Sequence, residues 1–319
     1  MLQNYRYFLA LAEELNISRA AARLFISHQC LSKYLKDLEA QYGVALMNRK
    51  PRLSLTPAGE MLRDSLRQIE LIEGNLESRL ADCQDSDSGQ IRLGITEGRI
   101  RILLPQILTR FREICPRAEL ATECANSNEL QEMVLNNRLD MMLTAQPAHK
   151  SSRLSSTLLV NEKLYLIISD NMLREFFPDE FPECRERFLK GADLSEFQHI
   201  PFVLNEKGFS SRDMVEQYAM KNDFHIDCVR EIVQADLHCL LSARDYAASV
   251  CFSMFLPGVS DLNRLNAGPS PLNAFPVKGF DTSNPVRLLW LKNRIFPSCG
   301  LKLISLIKEI CAPYETTEI

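Results

Sequence analysis

The chain has 319 residues, of which 46% are hydrophobic and 24% charged, and a net charge of −4. That length supports a small domain beside a larger one with its own core, and no apolar run approaches the roughly 20 residues that a membrane span needs. The ten cysteines are scattered, with no CxxC pair and no Cys/His cluster at metal-ligand spacing, so a disulfide scaffold and a metal cofactor are not expected.

The charge is unevenly placed. Residues 1–59 hold eight Lys or Arg against four Asp or Glu, so they carry +4 and the remainder carries −8. A cationic head on an acidic body points to a polyanion held by the head alone. The opening residues form an amphipathic pattern with Glu13 and Glu14 rather than a secretory leader, so a cytoplasmic location is expected.

Taken in order, Leu2 to Glu14 predict a helix with Tyr5, Phe8, Leu9 and Ala12 inward. Ser18 is placed to cap a second helix, whose Ala20, Ala21 and Leu24 give a small packing face. Phe25 and Ile26 are expected to fill the corner, and Ser27 to cap a third helix with Leu31, Leu35 and Leu38 inward. The outward residues of that third helix are His28, Gln29, Ser32, Lys33 and Lys36. Donors and positive charge in one row are what base edges and phosphates require. Gly43 is a helix-ending signal. Arg49, Lys50 and Arg52 then make a basic loop, and Leu53 to Thr56 a short strand, the pattern of a wing that touches the sugar-phosphate backbone.

Residues 5–59 resemble the winged helix-turn-helix of LysR-type transcriptional regulators. The matching residues are Phe8, Ala20-Ala21, Leu24, Ser27, Leu31-Ser32, Leu38-Glu39, Gly43, Leu46, Arg49 and Leu55-Thr56-Pro57-Ala58-Gly59. The family usually has Gln, then Pro or Ser, then Ala after the capping residue, where this chain has His28, Gln29 and Cys30. The resemblance implies DNA contact by Ser18, Arg19, Ser27, His28, Gln29, Ser32, Lys33, Lys36, Arg49, Lys50 and Arg52.

Ala58 to about Asp82 predicts one long helix. Leu62, Leu66, Ile69, Leu76 and Leu80 recur at near-heptad steps, so they are expected to pair with the same helix of a second subunit. The resemblance implies a linker helix that pairs two chains, and a homodimer or homotetramer. The polar stretch 83–90 reads as a hinge.

From Ile91 onward strands alternate with helices, the mark of a doubly wound α/β body. The resemblance implies a two-lobed, Rossmann-like effector domain similar in fold to type 2 periplasmic binding proteins. The expected division is 1–57 for the head, 58–82 for the linker helix, 83–90 for the hinge and 91–319 for the body. Lobe one is expected to comprise 91–161 with 269–319, and lobe two 162–268. Asn171 to Phe197 looks like an insertion relative to the family and is assigned no role.

Ligands of open α/β lobes sit beyond strand carboxyl ends, near helix N-termini that favour anions. Thr96, Glu97, Gly98, Ser127, Asn128, Thr144, Phe202, Asn205, Gly208 and Asp236 occupy such places and are the candidate effector contacts. The resemblance implies a small organic acid as effector, while Glu97, Glu206 and Asp236 as acidic neighbours leave a cationic, amphoteric or zwitterionic metabolite open. No GxSxG, P-loop, GxGxxG or HExxH pattern occurs, so catalysis is not expected. Redox sensing through a cysteine pair is an alternative within the same fold, and an enzyme or solute-binding protein a more distant one. Double-stranded DNA is the expected partner, no membrane is, and the resemblance leaves room for contact with RNA polymerase.

Overall fold

In a computed structural model the described residues are 4–50, 52–84, 88–145, 151–279 and 284–315. The expected helix start at Leu2, Pro51 of the basic loop and residues 85–87 of the hinge lie outside them. The chain forms two compact units, residues 1–84 with 294–296, and residues 85–293 with 297–319.

The first unit opens with α1 (Tyr5–Glu14), α2 (Ile17–Arg23) and α3 (His28–Tyr42). Tyr5, Phe8, Leu9, Ala20, Ala21, Leu31, Leu35 and Leu38 close one core, as their periodicity predicts. Two local expectations are corrected. The cap of α2 is Asn16, whose Oδ1 accepts from the Arg19 amide at 3.1 Å, so Ser18 lies inside the helix. Phe25 does not fill the corner: its φ of +56° turns the side chain outward and leaves it 96% exposed. The small α2 face and the half-buried Leu24 and Ile26 close the turn instead.

Ser27 caps α3, accepting from the Cys30 amide at 3.1 Å, and Gly43 ends it at φ +70°, a left-handed position that glycine takes without strain. Strands β1 (Met47–Asn48) and β2 (Ser54–Leu55) pair antiparallel as a small wing. Glu39 ties α3 to the wing, because its Oε1 accepts from the amides of Leu46 and Met47 at 2.9 and 3.1 Å.

Helix α4 (Pro57–Gln84) follows. Its predicted stripe divides. Leu66 is buried in the head core, with Leu62 and Ile69 packed against it. Those three were expected to face a second chain; instead α4 lies on α1 and spends its first turns closing the head. Leu76 and Leu80 stay exposed, joined by Ile72 and Met61.

The second unit holds two five-stranded sheets. The chain runs β3 (Ser88–Thr96), α5 (Glu97–Ile114), β4 (Arg117–Ala125), α6 (Ser127–Leu135), β5 (Met141–Thr144) and β6 (Leu154–Glu162). It then passes through Lys163 into β7 (Leu164–Ser169), α7 (Asp170–Phe176), α8 (Cys184–Leu189), β8 (Phe202–Leu204), α9 (Ser210–Lys221) and β9 (Cys228–Glu231). It continues through α10 (Ala235–Ala243), β10 (Ala248–Phe252), α11 (Leu256–Arg264) and β11 (Leu272–Pro276), and returns in β12 (Asn284–Leu291) and α12 (Ser298–Cys311). The first sheet has the order β4-β3-β5-β12-β6 and the second β11-β7-β10-β8-β9. The chain therefore crosses between lobes twice, at 162–164 and between β11 and β12. Two expectations change. Strand β11 pairs antiparallel with β7, so the second lobe runs to Pro276 rather than ending at 268. The segment 171–197 is core of that lobe, because Phe177, Phe188 and Phe197 meet in edge-on and tilted contacts at centroid separations of 4.8–5.3 Å and Phe188 meets Phe275 of β11 at 5.5 Å.

Candidate functional site

In the head, the outward residues of α3 stand where their spacing puts them. His28, Gln29, Lys33 and Lys36 are exposed and Ser32 is half-buried. Ser18 and Arg19 on α2, and Arg49, Lys50 and Arg52 in the wing, are exposed as well. Two of the cations are anchored: Arg19 on Glu14 at 2.8 Å and Arg49 on Glu39 at 3.1 Å. Exposed pairs of this kind contribute little stability but hold the guanidinium in place. Cys30, exposed on the same helix, was not singled out by the sequence pattern.

In the second unit a cavity of about 380 Å³ opens between the two sheets' strand ends. From lobe one it takes Thr96 to Arg99 at the β3–α5 junction, Asn126 to Asn128 at the β4–α6 junction, and Thr144 with Ala145. Lobe two supplies Asn205, Gly208, Phe209 and Ser211 around the start of α9, Val233 and Ala235 at the start of α10, Phe252 at the end of β10 and Phe255 beyond it. Eight of the ten predicted contacts are thus brought together: Thr96, Glu97, Gly98, Ser127, Asn128, Thr144, Asn205 and Gly208. Two are not. Phe202 is fully buried in the second-lobe core, because it lies within β8 rather than past its end. Asp236 lies outside the lining; its carboxylate is held by Arg101 of α5 in an ion pair that joins the two lobes.

The polar groups are ordered. The hydroxyls of Ser127 and Thr144 lie 2.8 Å apart, and Asn126 Oδ1 accepts from the Glu129 amide at 3.0 Å, which caps α6. Asn205 is largely committed to structure: its Nδ2 donates to the Ile232 and Val233 carbonyls at 3.2 and 3.0 Å, and its Oδ1 accepts from Ser211 Oγ at 2.5 Å. Thr96 Oγ1 is buried without a partner among the described residues. Gly98 approaches the second lobe, since a Cβ there would lie 3.3 Å from the Phe255 ring. Arg99 is buried and ion-paired to Glu162, and Glu162 Oε2 also accepts from Asn284 Nδ2 at 2.9 Å. Phe209, Phe252 and Phe255 were missed as lining residues, and Arg99, within the strand-end segment 96–99, was not chosen as a contact. The strand-end rule that found Thr96 would have reached Phe252, the last residue of β10.

The thiols here are held in the protonated form. A hydrogen bond with Cys239 and burial push Cys251 well up, and burial takes Cys311 to about 12. Burial, then nearby Glu97 and Glu123, raises Cys124. Such thiols are slow nucleophiles. Among the described residues no group of three or more His, Cys, Asp or Glu is placed to hold a metal ion. Nor is any helix among them long and apolar enough to cross a membrane.

Residues 2–60 match the family model for the bacterial regulatory helix-turn-helix protein of the lysR family, and residues 84–309 match the LysR substrate binding domain. The chain belongs to the LysR family. It is 24% identical over 297 residues to the HTH-type transcriptional activator CmpR of Synechocystis, covering 92% of this chain and 90% of that one. Full-length CbnR complexed with its target DNA shares the fold at a TM-score of 0.52 and 19% identity, covering 98% and 99% of the two chains. A full-length OxyR variant from Pseudomonas aeruginosa does so at 0.64 and 18%, covering 100% and 98%. The protein is a LysR-type DNA-binding transcriptional regulator with an effector-binding domain, and the relatives named here are regulators rather than enzymes.

Proposed function

We propose that this LysR-type regulator docks α3 in the major groove of operator DNA and sets its wing on the flanking phosphates, as a dimer of dimers. The observation that carries this reading is the row His28, Gln29, Lys33 and Lys36, exposed on one helix face beside the anchored Arg49. Phosphate contacts position such a helix and base-edge contacts select the sequence. Met61, Ile72, Leu76 and Leu80, all more than half exposed, supply the apolar strip for pairing two α4 helices.

The cleft is the effector site in this reading. The N-termini of α5 and α6 offer free amides and partial positive charge to a carboxylate, with the Ser127 and Thr144 hydroxyls beside them. Phe209, Phe252 and Phe255 accept an apolar body, and Glu97 suits an amphoteric one. Gel-shift titrations of genomic fragments across salt test the head: affinity should fall steeply with salt, and a flat response refutes groove docking. Thermal shift of the full chain with a panel of small carboxylates, amino acids and hydroxy acids tests the cleft. A shift that Ser127→Ala reduces supports it, and a panel without any shift counts against it.

A further inference from the structure

We propose that Arg99 is a positioning residue that couples occupation of the cleft to the two chain crossovers between the lobes. The inference rests on the cleft being the effector site and adds how its occupation is felt elsewhere. Arg99 is the third residue of α5, lines the cavity, and is only 8% exposed. Its guanidinium holds Glu162, the last residue of β6 and the last of lobe one before the chain enters lobe two. Glu162 also accepts from Asn284, the first residue of β12, which sits opposite it in register. The outgoing and returning crossovers therefore meet on one carboxylate, and that carboxylate leans on a cleft residue. Between them, the carbonyl of Lys163 accepts from the Ser253 amide of lobe two at 2.9 Å, two residues before cavity-lining Phe255.

This network is buried and only partly satisfied. Among the described residues, Arg99 Nε, Glu162 Oε1 and Asn284 Oδ1 each lack a partner. A buried ion pair derives its stability from complete hydrogen bonding, so an incomplete one responds strongly to a single added bond. A ligand in the cavity touches Arg99 and so bears directly on this network. Because Glu162 already neutralises the guanidinium, the suitable group is an uncharged acceptor, a hydroxyl or carbonyl oxygen, rather than a second carboxylate. The effector class that follows is a monocarboxylate carrying a hydroxyl or keto oxygen. Its acid group meets the α5 and α6 N-termini and its second oxygen meets Arg99.

Hydrogen–deuterium exchange of the full-length protein tests the coupling without any effector. Arg99→Met and Glu162→Gln should each speed exchange at 160–166 and 284–288 by about tenfold, while Arg99→Lys, which keeps the charge, stays within about threefold of wild type. Amides of β8 and β9 serve as the control and should not change. Unaltered crossovers in a folded Arg99→Met protein overturn the proposal, as does an equal rise in Arg99→Lys or a rise throughout the lobe. Should Arg99→Met fail to fold, Asn284→Ala carries the test, with about a threefold rise expected at 160–166 and no rise overturning it. Faster crossovers together with a carboxylate panel that shifts nothing would leave the coupling standing and remove the effector reading of the cleft.

Discussion

The exposed polar row of the head comes from nine consecutive positions, 28–36, on one helix, whereas the cavity of the body gathers side chains from 96 to 255. The head keeps its contacts on the outer face of a small core, so each can be altered with little effect on folding. The body places its contacts where helices begin, and several of them, such as Asn205 and Arg99, also hold lobes or loops in place. Function and stability are thus separable in the head and entangled in the body.

The strongest way to break that contrast is inside lobe two. Phe188→Ala should destabilise the body by about 3–5 kcal/mol, because it empties the centre of the Phe177, Phe197 and Phe275 cluster. Calorimetry should show one transition lowered while head-dependent DNA affinity at low temperature persists; an unchanged melt would mean that segment 171–197 is dispensable. Next in size is the head. Lys33→Ala with Arg49→Ala should cost roughly tenfold or more in affinity on all sequences and flatten the log–log salt slope by about 1–2, with melting unaltered. A loss confined to one sequence would assign these residues to base contact instead.

Within the cleft, Ser127→Ala should weaken binding of whichever carboxylate shifts the melt by about fivefold, the worth of one hydrogen bond. A fall in body stability of the same size without a ligand would show that the hydroxyl pair is structural. The smallest effect is a pH dependence. Burial holds the His238 imidazole below its ordinary 6.5, opposed by its hydrogen bond to the Ile232 carbonyl at 2.7 Å. The unfolded chain therefore takes a proton that the folded chain refuses. Stability is fully present above about pH 6.5 and declines as pH falls below it. His238→Gln should flatten the melting temperature between pH 6.5 and 5.5, and an equally steep profile in that variant would assign the slope to other groups.

What the sequence revealed follows the same division. The helix-turn-helix was legible because its packing is local: Ala20, Ala21, Leu31 and Leu35 meet within one short hairpin. Phe25 was misplaced because hydrophobicity outweighed a backbone angle that no periodicity reports. In the body, the strand-end rule found eight lining residues and the segment 96–99 that carries Arg99, but not the part Arg99 plays, which depends on Glu162 sixty-three positions away. Strand β11 was missed because its Pro276 and flanking prolines read as loop, although an edge strand tolerates them. Asp236 was read as a ligand contact because the sequence could not show Arg101 waiting on the other lobe. The α4 stripe was read as one seam because spacing alone does not say whether the same chain or another covers it.

That division of α4 has a consequence for anyone exchanging parts between family members. A chimera joined at residue 57 would strand Leu62, Leu66 and Ile69 on one parent and their cavity on the other. The natural splice point lies beyond Ile69, so the portable recognition cassette is longer than the winged motif by at least three helical turns.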